Sequence, residues 1–202
     1  MLALMLLTVC VAIGYLLGSL CSAVIVCQLF KLPDPRTKGS NNPGATNVLR
    51  LAGKKYAAIV LLGDVLKGLL PVWIASLMHV SPFAQGLVGL AAVLGHVYPV
   101  FFDFKGGKGV ATTLGVLLGF QPILGLVVMI IWMLVAYFSR YASLASMIAI
   151  SVAPFLQLNG KSAFFPFVAI ALLVLYQHRN NITRLQEGHE PKIKLNSKSK
   201  KK

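Results

Sequence analysis

The chain has 202 residues, 57% of them hydrophobic and only 12% charged, and its 19 Lys and Arg against five Asp and Glu give a formal net charge of +14 at pH 7. Apolar mass on this scale, with the charges gathered into short islands, excludes a soluble domain and describes a polytopic membrane protein. An α-helical span takes roughly 20 apolar residues, so one helical bundle fits and no separate soluble domain does.

In chain order, apolar blocks cover about 2–30, 56–78, 83–102, 110–120, 123–138, 142–157 and 162–177. The first carries no basic segment ahead of it and runs on to Phe30, so it reads as a retained span and not a signal peptide. Its Cys10, Cys21 and Cys27 match no metal spacing and read as small core residues. The second block holds "GDVLKG", with Asp64 and Lys67 three residues apart. Charges inside a span need a partner or a polar cavity, so a structural ion pair and a pair facing the site are both open. The fourth block is short. "GFQPILG" after it is either a tight turn or a kink within one long helix, and the choice sets the count at seven spans or six.

Charge placement favours seven. With the N-terminus outside, the inner side receives Lys31, Arg36, Lys38, Arg50, Lys54, Lys55, Lys105, Lys108, Arg140 and the tail from Arg179 onward, while the outer side receives only Lys161. Six spans would separate Arg140 from the basic tail. The expected fold is therefore all-α: a transmembrane bundle over residues 1–194, with a disordered basic tail at 195–202 drawn to anionic lipid and not to nucleic acid.

This topology brings three polar islands to the cytosolic face. The first, "DPRTKGSNNPGATNVLR", offers hydroxyl and amide groups at Ser40, Asn41, Asn42, Thr46 and Asn47, with bidentate forks at Arg36 and Arg50. In the second, "FKGGKGVAT", Gly106, Gly107 and Gly109 let successive N–H groups point into one concavity; Lys105, Lys108 and the helix start at Val110 add positive charge. Such a nest suits phosphate. It is not a Walker loop, because Lys108 is followed by Gly109 and not by Ser or Thr. The third, "HRNNITRLQEGHEPK", reads as a helix leaving the last span, with His178, Asn181, Ile182 and Leu185 on one face. Taken singly, each island is also compatible with a plain interfacial loop.

Together, the islands resemble the three signature motifs of the bacterial acyl-phosphate:glycerol-3-phosphate acyltransferase family, PlsY. "GSLCSA" with the first island, "GHVYPVFFDFKGGKGVAT" and the third island occur in the expected order and spacing, from about Gly18 to Lys192. The resemblance implies that Ser40 and Arg50 are essential and that Lys105, Gly106, Gly107, Lys108 and Gly109 form a loop for glycerol 3-phosphate. It implies that His178 and Asn181 act in the third motif, that Glu190 is structural, and that Ser143 of "SRYASLAS" lies near the site. Asn42, Thr46 and Asn47 join the phosphate-binding set, with Asp64 and Lys67 as structural candidates.

The implied reaction moves a fatty acyl group from acyl phosphate to glycerol 3-phosphate, giving lysophosphatidic acid and phosphate, at the cytosolic side of the bacterial inner membrane. No metal or other cofactor is implied. The partners are the two substrates, membrane lipid and the enzyme that makes acyl phosphate. An acyl-CoA-dependent acyltransferase would show H-x-x-x-x-D, which none of the four histidines provides. A phosphate transporter would carry more polar groups through the midplane than Asp64 and Lys67.

Overall fold

A computed structural model of the chain describes residues 1–157 and 163–193. Among these there are ten α-helices and no strand: α1 (Leu2–Gly18), α2 (Ser22–Leu29), α3 (Ala45–Ala52), α4 (Lys54–Leu77), α5 (Pro82–Val97), α6 (Val110–Phe120), α7 (Pro122–Ser139), α8 (Ala142–Val152), α9 (Phe164–Gln177) and α10 (Arg179–Gln186). The expected outer Lys161 and the basic tail lie outside the described residues.

The helices follow the apolar blocks. Each block is apolar on nearly all sides, as suits a helix with protein on one face and lipid on the other. Thus α4 buries Val60, Gly68 and Val72 while it exposes Leu61, Leu62 and Trp73, and α7 exposes Ile130, Met133, Leu134 and Phe138. Three segments are long and apolar enough to cross a membrane: Lys54–Leu77, Pro82–Phe102 and Pro122–Ser139. In the first block, α1 and α2 reach that length and apolarity only together, across a 42° bend, and make a fourth span where the pair counts as one. Helices α6 and α9 and the stretch Ala142–Leu156 are apolar but shorter.

The ambiguous "GFQPILG" is a reversal. Gln121 is extended (φ −155°, ψ 104°), which ends α6, and Pro122 starts α7 at the first helical position, where its missing N–H costs nothing. A Cβ on Gly125 would stand 2.8 Å from the backbone N of Leu118, so the two helices fold back on each other. In one continuous helix these residues, seven apart, would be separated by about 10 Å along the axis.

Small residues set the packing, as expected where lipid removes the usual hydrophobic drive between helices. The pair α4 and α6 is in closest association, followed by α1 and α5. Along the first seam a Cβ on Gly68 would meet Thr112 O at 2.1 Å and one on Gly115 would meet Val65 O at 2.0 Å. These seams hold the start of α6 and the end of α5, where the second island sits, in fixed register.

Candidate active site

The first island is tied to itself by one side chain. Asn47, 1% exposed, accepts from Ser40 N–H (2.9 Å) and donates through Nδ2 to Pro35 O and Lys38 O (both 2.9 Å). It therefore serves as a clasp for loop 35–40, where the sequence suggested a phosphate ligand. Arg36 is likewise committed: Nε and Nη2 grip the Asp34 carboxylate, with Nη2 to Oδ2 at 2.8 Å. That hydrogen bonding holds the Asp34 carboxyl below its usual range. What remains open is Ser40, exposed on the clasped loop, Asn42, Thr46, and Arg50 in the last turn of α3.

The glycine turn differs from the sequence expectation. Gly106 N–H donates to Val97 O (3.2 Å) and Gly107 N–H to His96 O (3.1 Å), so neither faces a free concavity. The reason is that α5 ends here and its last carbonyls need donors. The glycines permit close approach, since a Cβ on Gly106 would lie 2.0 Å from His96 O. Gly109 takes φ +85° as it leads into α6, a conformation that favours glycine. Among the described residues nothing accepts from the N–H groups of Lys108 to Thr112. The N–H groups of this island that stay open are thus those at the α6 N-terminus, and Lys105, five residues before Val110, is exposed.

The third island supplies a buried network. His178 closes α9 and precedes α10; it is 3% exposed, and its Nδ1 lies 2.8 Å from Val174 O. A nitrogen so placed must donate, which puts the proton on Nδ1 and the lone pair on Nε2. Burial, with the Lys108 charge adding to it, lowers the His178 pKa to about 4, so the ring is neutral at pH 7. Lys108 Nζ donates to Asn181 Oδ1, and Asn181 Nδ2 donates to Glu190 Oε1 at 2.6 Å. The same Oε1 accepts from Ser143 Oγ (2.6 Å), and Oε2 accepts from Arg184 Nε (2.8 Å). Burial pushes Glu190 up, but the donors Ser143, Asn181 and Arg184 outweigh it and leave the pKa lowered. Lys108 is depressed to about 8 by burial first and then by repulsion from Arg184, with Arg50 adding to it and Glu190 opposing.

The islands therefore meet. Pro43 O would lie 3.2 Å from a Cβ on Gly107, joining the first to the second, and Lys108 to Asn181 joins the second to the third. Ser40 and His178 form no hydrogen bond among the described residues. The expected helical face of the third island holds in part: His178 and Asn181 are buried, but Ile182 is exposed. Asp64 and Lys67 lie inside the bundle, 2.8 Å apart, and Lys67 Nζ also donates to Leu20 O at 2.8 Å. Arg184 and His96 were not anticipated. Arg184 stands three residues after Asn181 and six before Glu190, a spacing consistent with its bond; His96 closes an apolar run next to the glycine turn.

Known proteins match nearly the whole length of the chain. The family described as glycerol-3-phosphate acyltransferase matches residues 8–188. A glycerol-3-phosphate acyltransferase of Legionella pneumophila (strain Corby) is 55% identical over 188 residues, 92% of this chain and 68% of the relative. One from Francisella tularensis subsp. holarctica (strain OSU18) is 50% identical over 189 residues, 93% of each. Two crystal structures of PlsY (YgiH), an integral membrane glycerol 3-phosphate acyltransferase, superpose on the chain. The glycerol 3-phosphate form has a TM-score of 0.88 at 42% identity, covering 93% of this chain and 96% of that one. The lysophosphatidic acid form has a TM-score of 0.86 at 41% identity, covering 93% and 95%.

Proposed function

Because the chain belongs to the glycerol-3-phosphate acyltransferase family, and so acylates glycerol 3-phosphate, we propose that acyl phosphate is its donor and that the transfer is direct. The observation that carries this is the charge pattern of the joined islands. The charges of Arg50 and Arg184 both bear on Lys108 ahead of α6, Lys105 stands three residues before Lys108 in the same turn, and Glu190 is the carboxylate inside the network. A site of this kind is built for phosphate anions, and both substrates are phosphate monoesters or anhydrides.

Glycerol 3-phosphate places its phosphate at the α6 N-terminus with Lys105 and Lys108. The acyl phosphate lies with its chain in the bilayer and its anhydride facing Arg50 and Ser40. The glycerol hydroxyl attacks the acyl carbonyl, the carbon–oxygen bond to phosphate breaks, and the hydroxyl proton ends on the departing phosphate. His178 orients the hydroxyl through the Nε2 lone pair. Its low pKa makes it a weak base, so the phosphate oxygen is the better final acceptor. Most of the catalysis is then positioning and charge stabilisation of an already activated donor.

The chain crosses the bacterial cytoplasmic membrane seven times with its N-terminus outside. Its spans are α1 with α2, α4, α5, α6, α7, α8 and α9, and the site faces the cytosol. The shorter helices are supported by the fold-back at Gln121 and by basic loops on one side.

The test is an assay of purified protein with acyl phosphate, acyl-CoA and acyl-carrier-protein donors in parallel, followed by incubation with acyl phosphate alone. Turnover with acyl phosphate only, and phosphate release only once glycerol 3-phosphate is added, is the expected outcome. A stoichiometric phosphate burst with an acyl adduct on Ser40 would replace direct attack by a covalent route.

A further inference from the structure

Three ionisable side chains, Asp64 and Lys67 on α4 and His96 on α5, are sealed inside the helical bundle, each 6% exposed or less. Apolar residues of similar size would be cheaper in such a place. Part of the cluster has a local explanation. The first span breaks after Gly18, and Lys67 Nζ donates to the Leu20 carbonyl at that break, with Asp64 as its counter-ion. Nothing at the break requires His96.

His96 works in the other direction. Its Nδ1 faces Asp64 Oδ1 across 3.5 Å, and both atoms are closed to solvent. Its carbonyl takes the Gly107 N–H, and its imidazole occupies the room beside Gly107 where a side chain would go: an added Cβ would stand 2.3 Å from Nε2 and 3.1 Å from Cε1. The third neighbour of that Cβ is Pro43 O of the clasped first loop, at 3.2 Å. Gly107 has no positive φ, so its backbone would accept alanine and the imidazole is the main obstacle.

We propose that His96 is a positioning residue for glycerol 3-phosphate: its ring, set between Asp64 and the glycine turn, determines where that turn and the start of α6 stand relative to the Ser40 loop. The inference rests on reading the α6 N-terminus with Lys105 as the glycerol 3-phosphate site. Its consequence is an energetic coupling between His96 and Gly107, because the clash in Gly107→Ala exists only while the imidazole is present.

The experiment is a double-mutant cycle on the full-length membrane protein: His96→Ala, Gly107→Ala and the double variant, each assayed with glycerol 3-phosphate titrated at saturating acyl phosphate and the reverse, with thermal unfolding measured alongside. Each single change raises KM for glycerol 3-phosphate by about tenfold, with a smaller effect on KM for acyl phosphate. The double variant is no worse than the poorer single. Asp64→Asn, which leaves Lys67 its bond to Leu20, shifts KM in the same sense, and His96→Gln restores part of what His96→Ala loses. If the double variant loses the product of the two single effects, or if the KM values for both substrates move together, His96 does not position this turn. Should His96→Ala fail to fold, the cycle is run with His96→Asn, whose amide ends near the Nδ1 position and leaves the room beside Gly107 empty, and Gly107→Ala, with the same two outcomes. Lys105→Gln separates the premise from the proposal. If that variant keeps the wild-type KM for glycerol 3-phosphate while the coupling persists, the phosphate assignment falls and the control of the turn by His96 stands.

Discussion

The Lys108 ammonium should impose an alkaline limit on catalysis. Burial and the nearby Arg184 charge lower its pKa to about 8, and Glu190, linked through Asn181, works against them. The protonated form holds phosphate, so kcat/KM for glycerol 3-phosphate should be level below about pH 8 and fall about tenfold per pH unit above it. A bound dianion favours the charged lysine, so the limb in kcat should sit at higher pH than the limb in kcat/KM. Glu190→Gln removes the opposing carboxylate and should move the kcat/KM limb to lower pH. Stability runs the opposite way: the unfolded chain holds this proton to higher pH than the folded one, so between about pH 8 and the ordinary lysine range this group makes the protein more stable as pH rises. Losing the charge-assisted hydrogen bond in Lys108→Met should cost about 1.5–3 kcal/mol of substrate binding, or roughly 10- to 150-fold in kcat/KM. The assay is steady-state kinetics across pH 6–10, with activity restored on return to neutral pH as the check for unfolding. A flat profile in the wild type, or an alkaline limb that stays put in folded Glu190→Gln, would refute the reasoning.

Three further outcomes are expected. Glu190→Ala leaves buried Ser143 and Asn181 donors without their acceptor, at about 1–3 kcal/mol each, so thermal unfolding in detergent should drop by several degrees and activity should be lost with it. Asn47→Ala removes three hydrogen bonds from the loop carrying Ser40 and should lower kcat/KM by roughly tenfold or more at a net of about 1 kcal/mol per bond, measured beside an unfolding curve that still shows a cooperative transition. With Cys10, Cys21 and Cys27 replaced, single cysteines at Lys38, Lys105 and Glu187 should be protected from a membrane-impermeant thiol reagent in intact cells and react after lysis; labelling of one of them from outside would break the proposal that the islands share a face.

Local information determined most of the helices. Apolar runs bounded by Gly, Pro and charge are visible one window at a time, so the blocks at 56–78, 110–120, 123–138 and 162–177 fall within a few residues of α4, α6, α7 and α9. The resemblance likewise assigns His178, Asn181 and Glu190 to one motif, and Asn181 does donate to Glu190. The break at residues 19–21 was not visible, because it has no proline: it is held by a lysine 47 residues away donating to Leu20 O. The same distance effect reversed several roles. Gly106 and Gly107 looked like donors to an anion because their N–H groups are unassigned in a linear chain; packing the turn under the end of α5 assigned them to Val97 and His96. Asn47 looked like a ligand by its amide, and the fold of its own loop used that amide on both sides. Arg184 and His96 carry no role legible from residue type alone, because each depends on a partner, Glu190 in one case and Asp64 with Gly107 in the other. What residue type and spacing determine is which helices form and which groups reach one face. Which donor meets which acceptor is decided by tertiary contacts between segments, and in a bundle with few polar groups each such pairing fixes what its neighbours are free to do.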